Sequence, residues 1–432
     1  MRLNLLLRER KAVTCLFLED LRIIFNRYNF CIPLRFVFLF LYLLTYIYIY
    51  LYIYTHTFMS YFRLLLVISI CHTPIHTLAA LAAGGGGGGG IDKGFNILET
   101  ASRLVPQGAI VGTTKESWKF VWQRMMAELA PQDQTGSYTR PSYSFQGKIG
   151  SLAFPDEADR YVLYVGNPCP WCHRTKLVCN VRKLSTREVE VVQLVDDPLK
   201  ASRGGWIFDG SRGKDPIFNS RDLFELYNRL SPGFKGRCTA PLLVDRKSKK
   251  AVSNESSDIV RMLEEAKFQR KDVGADMELY PSQLAAKIDA TNDWVYKQLN
   301  NGVYRCGFST RQDAYNAASR DVRNGLDRCE EILATQDFLC GDTFTEADIR
   351  LLPTILRFDG VYSPLFKAGG SHLRVRDYPN LHNWLRKCWN IDGVRESIDL
   401  KDANESYYKQ LFPLNPGGIV PTSITAKDIG LE

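Results

Sequence analysis

The stretch Asn167-Pro168-Cys169-Pro170-Trp171-Cys172-His173-Arg174 decides how this chain is read. Ahead of it lies a short apolar run, Tyr161-Val162-Leu163-Tyr164-Val165, with the length of a buried strand. After it a helical pattern begins. Pro170 suits the first helical position, where its missing N–H would be unpaired anyway. Cys169 then stands at the helix N-terminus, where free N–H groups and the positive end of the dipole favour an anion. A thiolate is such an anion, and thiols so placed ionise well below free cysteine. His173 and Arg174 are expected to add positive charge in the first turn. Cys172, one turn further on the same face, completes the C-x-x-C spacing of a redox dithiol.

Two cysteines also suit half of a zinc site, or an inert core. No second C-x-x-C and no paired His accompanies them, so no metal is expected. Strand, Cys-Pro-aromatic-Cys and helix in succession are more specific than a lone C-x-x-C. The combination resembles the start of a thioredoxin or glutaredoxin fold.

The rest of the pattern agrees. Residues 189–195 read as a strand, a long loop carries Arg203-Gly204-Gly205-Trp206, and 221–230 read as a helix. Two strands, 241–245 and 251–253, flank a charged turn, and 256–267 read as a helix. That β-α-β-α-β-β-α order is thioredoxin-like. A charged connector follows, and beyond about residue 280 the pattern is helical. Residues 282–300, 311–334 and 346–356 are the clear cases, and another helix starts near Tyr378. Thr345-Glu346-Ala347-Asp348 has the form of a capping box, with Asp in place of Glu or Gln.

Upstream, residues 91–150 form a lead-in segment. Its 116–129 stretch has helical periodicity, with Trp118, Val121, Trp122 and Met125 on one face. Residues 1–90 differ from everything else. Residues 36–54 carry no charge over a membrane-spanning length. Yet 46–54 is near-perfect dipeptide repetition, and seven glycines, 84–90, close the segment as a flexible spacer. Three origins stay open for this leader: a mistaken or processed start, an organelle-targeting sequence, or a membrane anchor. The corresponding locations are the cytoplasm or a plastid, with anchoring through 36–54 not favoured.

Composition excludes some function classes. Of the net charge of +8, residues 1–90 contribute eight Lys/Arg against three Asp/Glu, leaving only +3 on the body. No basic stripe with interleaved aromatics suggests nucleic acid. The 11 cysteines follow no framework spacing, and a chain of 432 residues needs no disulfides for its core, so a reducing compartment is expected.

A thioredoxin-like domain followed by a helical one is the architecture of glutathione transferases. Seven stretches in order resemble one class of them, the Xi-class glutathionyl-hydroquinone reductases. They are the Asn-Pro-Cys-Pro-Trp run, Gly205-Trp206-Ile207-Phe208-Asp209, Ser253-Asn254-Glu255-Ser256-Ser257-Asp258-Ile259, Asn301-Gly302-Val303-Tyr304, Thr345 through Arg350, Arg357-Phe358-Asp359-Gly360-Val361-Tyr362, and Tyr407-Tyr408 ahead of Asn415-Pro416. The resemblance covers about two thirds of the chain. It implies an α/β thioredoxin-like domain over 151–267, an all-α domain over 280–400, and a tail, 401–432, that contributes to the active site.

The resemblance also implies roles. Cys169 is the nucleophile that forms a mixed disulfide with glutathione. Tyr304 is the proton donor and acceptor. Tyr362 and one of Tyr407 and Tyr408 donate hydrogen bonds to the thiolate, which lowers its pKa. Glutathione, the co-substrate, is held by Trp206, by Arg237, Cys238, Thr239 and Ala240 ahead of Pro241, and by Glu255 and Ser256. In thioredoxin-like folds that proline is typically cis, and the backbone before it pairs with the cysteinyl part of glutathione. Arg237 can pair with a glutathione carboxylate, and a strand-to-helix turn at Glu255-Ser256 can hold the γ-glutamyl group. Cys172 departs from the Ala or Ser usual in the class and is a candidate resolving thiol. Tyr143 and Gln146 depart from the class in the lead-in.

The expected reaction takes a glutathionyl-hydroquinone and glutathione to the hydroquinone and glutathione disulfide, in a homodimer. An omega- or glutaredoxin-like thioltransferase or dehydroascorbate reductase is the alternative. A membrane-inserting relative of the chloride intracellular channel type is the non-enzymatic one.

Overall fold

The computed structural model describes residues 106–432 except 212, 270–276 and 423–424. The leader, with its apolar run at 36–54 and its glycines, and part of the charged connector lie outside the described residues.

β1 (Tyr161–Gly166) is buried along its whole length, as expected of an apolar strand covered on both faces. It pairs in parallel with β2 (Val189–Asp196) and antiparallel with β4 (Leu242–Asp245). Between β1 and β2 the chain crosses over through α2 (Pro170–Val181). β5 (Lys250–Ser253) closes one edge against β4, with an irregularity at Leu243/Val244. The other edge was not legible in the sequence: β3 (Trp206–Ile207) pairs antiparallel with the end of β2 inside what reads as a loop. Two residues are too few to display alternation. The sheet order is β3-β2-β1-β4-β5. α3 (Leu223–Leu230) precedes the cis Ala240–Pro241 bond, and α4 (Ser256–Glu265) packs beside α2.

The helical half begins with α5 (Ala285–Trp294), where one long helix was expected over 282–300. Its last turn widens instead into a π-helical segment, Val295–Asn300, which leads to α6 (Gly302–Phe308) and then α7 (Gln312–Leu333). A second π segment, Phe358–Tyr362, follows α8 (Glu346–Arg357). Such segments interrupt the regular ladder and recur at functional sites; here one precedes Tyr304 and the other ends on Tyr362. The capping box at the start of α8 is formed, with the Thr345 N–H donating to Asp348 at 2.9 Å. Asp348 is fully buried and also accepts from the Leu339 N–H and the Trp384 indole.

α9 (Pro379–Trp389) and α10 (Leu400–Gln410) complete the helices. The expected tail therefore begins as a helix, and α10 carries Tyr407 and Tyr408. In the lead-in, α1 (Gln107–Leu129) is longer than its periodicity predicts. Trp118 and Val121 are exposed, so the expected apolar face is only partly used. Trp122 donates from its indole to the Pro413 carbonyl, and Met126 is fully buried. Among the described residues no helix is long and apolar enough to cross a membrane.

Candidate active site

Cys169 is the N-cap residue of α2, half-buried, with Pro170 at the first helical position. The Cys172 backbone N–H donates to its sulfur at 3.4 Å, and its own S–H faces the Ala240 carbonyl at 3.6 Å. Burial alone would push the Cys169 thiol up. Hydrogen bonds from the Cys172 side chain and from the Cys172 and Trp171 N–H groups outweigh it, helped by the Arg357 charge, and the pKa falls below that of an ordinary thiol. Cys172 moves the other way: burial and the neighbouring Cys169 hold it well above the ordinary value. Of the pair, Cys169 is the one poised as a thiolate, and Cys172 is the donor to it.

The positive charge expected in the first turn does not act on Cys169. His173 is buried, and burial beside Arg357 drives its pKa well below the usual value, so it is neutral. Its Nδ1 accepts from Arg357 at 3.0 Å, which leaves Nε2–H to donate to Ser397 at 2.7 Å. Arg174 points to the Glu255-Ser256 corner. The cation near Cys169 is instead Arg357, fully buried at the end of α8. It donates to the carbonyl oxygens of Asn167 and Pro168 at 2.9 and 3.1 Å and so fixes the loop that presents the thiol. The sequence offers no local signal for this, because the loop and the arginine lie far apart in the chain.

A cavity of about 230 Å³ opens on Cys169 and is lined by Trp171, Trp206, Tyr304, Tyr407, Asp196 and Leu411 among others. Trp206 lies against Gly166, where an added Cβ would stand 2.1 Å from the indole ring. Only glycine permits that approach. Tyr304 and Tyr407 share a hydroxyl–hydroxyl bond of 2.7 Å, and Tyr362 joins Tyr407 at 3.1 Å. Burial, reinforced by the neighbouring phenols, holds Tyr304 and Tyr407 well above the ordinary tyrosine value, and burial raises Tyr362. All three therefore carry their protons at neutral pH.

The tyrosines differ from expectation in one respect. Among the described residues the bonds to the Cys169 sulfur come from Cys172 and the Trp171 N–H, while the hydroxyls of Tyr362 and Tyr407 are spent on each other and on Tyr304. Tyr408 points elsewhere, donating to the Gly360 carbonyl at 2.9 Å. Adjacent residues on a helix diverge in direction, so only one of the pair reaches the cavity.

The glutathione-side residues are also brought together, with corrections. Ala240 and Pro241 form a cis bond next to Cys169. The Thr239 carbonyl accepts from Tyr227 at 2.7 Å. Cys238 is buried, which pushes its thiol up to about 11. Arg237 is turned away: its guanidinium donates to the Glu128 and Leu129 carbonyls at 2.8 and 2.9 Å. The last carbonyls of α1 lack helical partners and draw the cation to them. Glu255, the N-cap of α4, is paired with Arg140 at 3.3 Å and Arg174 at 3.4 Å. Burial would raise its pKa, but the two arginines hold it below the usual carboxylate range. Ser256 is fully buried and its hydroxyl accepts from Arg174 at 2.5 Å. Arg140 and Arg174 also lie over the Trp171 ring. A polar hollow of about 380 Å³ opens here, lined by Arg140, Arg174, Glu255, Ser257 and Tyr296 among others. Among the described residues no cluster of His, Cys, Asp and Glu is arranged to hold a metal.

Comparison with known proteins follows the same division. Residues 168–266 match the model of the glutathione S-transferase N-terminal domain, and 312–387 that of the C-terminal domain. The chain is 40% identical over 278 residues to the glutathionyl-hydroquinone reductase YqjG of Escherichia coli, covering 63% of this chain and 82% of that protein. It superimposes on the Xi glutathione S-transferase of Phanerochaete chrysosporium with a TM-score of 0.63 and 38% identity, over 68% of this chain and 94% of that one. The glutathione-bound structure of YqjG gives 0.60 and 35%, over 65% and 93%. The thioredoxin-like domain and the helical domain thus coincide with a known group: this chain belongs to the glutathione transferase family, in the Xi class that contains the glutathionyl-hydroquinone reductases.

Proposed function

We propose that this protein reduces glutathionyl-hydroquinones to hydroquinones with glutathione as co-substrate. The observation that carries the proposal is the placement of a low-pKa thiol, Cys169, and a protonated phenol, Tyr304, on one cavity. The chemistry needs those two groups. The Cys169 thiolate attacks the glutathionyl sulfur. The carbon–sulfur bond breaks, and the ring carbon that keeps the electron pair takes a proton from Tyr304. Tyr407, bonded to Tyr304, can return that proton through the chain of hydroxyls. The mixed disulfide on Cys169 is then attacked by a second glutathione thiolate, which yields glutathione disulfide and restores Cys169. No protein thiol beyond Cys169 is required.

Glutathione recognition falls to Trp206, the backbone at Thr239 and Ala240, and the Glu255 corner. Arg140 and Arg174 then supply the cations there, in place of Arg237. Incubation with a glutathionyl-hydroquinone and glutathione should release free hydroquinone, and mass spectrometry without added glutathione should find a glutathione adduct on Cys169. Absence of both products with a correctly folded protein would exclude the proposal.

The contact between Cys172 and Cys169 favours one second reading, a glutaredoxin-like exchange on mixed disulfides. It would use the same nucleophile. The homodimer implied by the class is also proposed, and sedimentation velocity tests it.

A further inference from the structure

The wall of the Cys169 cavity carries a carboxylate that the reaction scheme above does not use. Asp196 is the last residue of β2, held by its pairing with Trp206 of β3. It lines the same cavity as Cys169, Tyr304 and Tyr407. Two contacts from α10 fix it: Ser406 donates to Oδ2 at 2.9 Å, and Gln410 donates to its backbone carbonyl at 3.1 Å. Oδ1 lies beside Gly205, where an added Cβ would stand 3.4 Å from it.

No cation pairs with Asp196 among the described residues. The charged groups that act on it are Asp197, from the same strand end, and Asp402, from α10, both of like sign. Burial, with those two carboxylates, pushes its pKa up to about 6 against the one Ser406 bond. A half-buried carboxylate without a counter-ion is costly. Apart from Cys169, its neighbours in the cavity are aromatic or aliphatic walls and neutral polar groups. Such a group is expected where a ligand repays the desolvation.

We infer that Asp196 is a specificity-determining residue that accepts a hydrogen bond from a ring hydroxyl of the hydroquinone held in this cavity. The inference rests on the reductase reading only in taking a hydroquinone as the occupant. A hydroquinone is a flat apolar ring with two hydroxyl donors. The aromatic walls suit the ring, and a carboxylate acceptor suits a hydroxyl. A ring bearing a carboxylate would be repelled. Selection would thus fall on hydroxylated over unsubstituted aryl adducts of glutathione.

Binding separates this from the chemistry. In a Cys169→Ser background, which holds the adduct without turnover, affinities are measured anaerobically by calorimetry for glutathionyl-hydroquinone, S-phenylglutathione and S-methylglutathione. With Asp196 intact, the hydroxylated adduct should bind at least roughly tenfold tighter than S-phenylglutathione, the scale of one hydrogen bond to a charged group. Asp196→Leu should reduce that ratio to about one. Asp196→Asn, which keeps a neutral acceptor, should retain an intermediate ratio, a gradation that a structural role would not produce. S-methylglutathione binding reports that the glutathione pocket is intact in each variant. A ratio near one with Asp196 present, or equal ratios in all three proteins, would overturn the assignment. Failure of the unmutated enzyme to reduce the adduct would instead sink the reductase reading and leave the binding ratio standing on its own.

Discussion

Arg357 and Pro168 are 189 residues apart in sequence and joined by a hydrogen bond of 3.1 Å, from the guanidinium Nε to the carbonyl oxygen. Through it the helical half holds the loop that carries Cys169. Arg357→Met should leave the Asn167 and Pro168 carbonyls unpaired and cost about 3 kcal/mol or more of stability, read by denaturant unfolding. It should also raise the Cys169 pKa. Arg357→Lys should recover only part, since one ammonium cannot reproduce the planar fork. A full rescue by Lys would show that charge alone matters.

Cys169 lies below the ordinary thiol pKa partly through Cys172. The thiolate fraction grows as pH rises through the pKa, so alkylation by iodoacetamide should reach half its maximal rate at lower pH than for free cysteine. Cys172→Ala should move that midpoint upward while leaving hydroquinone release measurable at high pH. Cys169→Ser should abolish release at every pH. An unmoved midpoint in Cys172→Ala would remove Cys172 from the tuning of the thiol.

Tyr304 separates the two enzymatic readings. Breaking carbon–sulfur needs a proton on carbon, while breaking sulfur–sulfur does not. Tyr304→Phe should slow hydroquinone release by about 10²–10⁴-fold, and exchange on a small glutathione mixed disulfide by far less. Tyr407→Phe should show a weaker form of the same split, and Tyr408→Phe should show none. Equal losses on both substrates would make Tyr304 a shaping residue.

Gly166 permits the approach of Trp206. Gly166→Ala would place a methyl group inside the indole ring, so Trp206 must move out of the cavity wall. Glutathione affinity, measured by calorimetry, should fall at least roughly tenfold, the scale of one lost aromatic contact with its packing. The melting temperature should change little if only the tryptophan swings away.

His173 is neutral in the fold because its pKa is well below the usual value. The unfolded chain takes up a proton there as pH drops through about 6.5, and the folded chain does not. Stability therefore falls with acid in that range, by up to about 1.4 kcal/mol per pH unit from this residue. His173→Gln should flatten the slope of unfolding free energy between pH 6.5 and 5. An unchanged slope would mean that other groups govern acid lability.

The sequence by itself determined what depends on neighbours along the chain. Pro170 after Cys169 set the start of a helix and put the thiol at its cap. Apolar runs gave the four longer strands, and Thr345 with Asp348 gave the box that starts α8. These are effects of a few residues' reach. Only the tertiary structure decided which side chains serve the site. It turned Arg237 to the end of α1 and put Arg140 and Arg174 at Glu255. It made His173 neutral and gave the cation's place to Arg357. It chose Tyr407 over Tyr408, and set Asp196 in the cavity through a two-residue strand. Each of these follows from which surfaces α1, α8 and α10 present to the sheet, and such pairings between segments far apart in the chain leave no local period or cap to read.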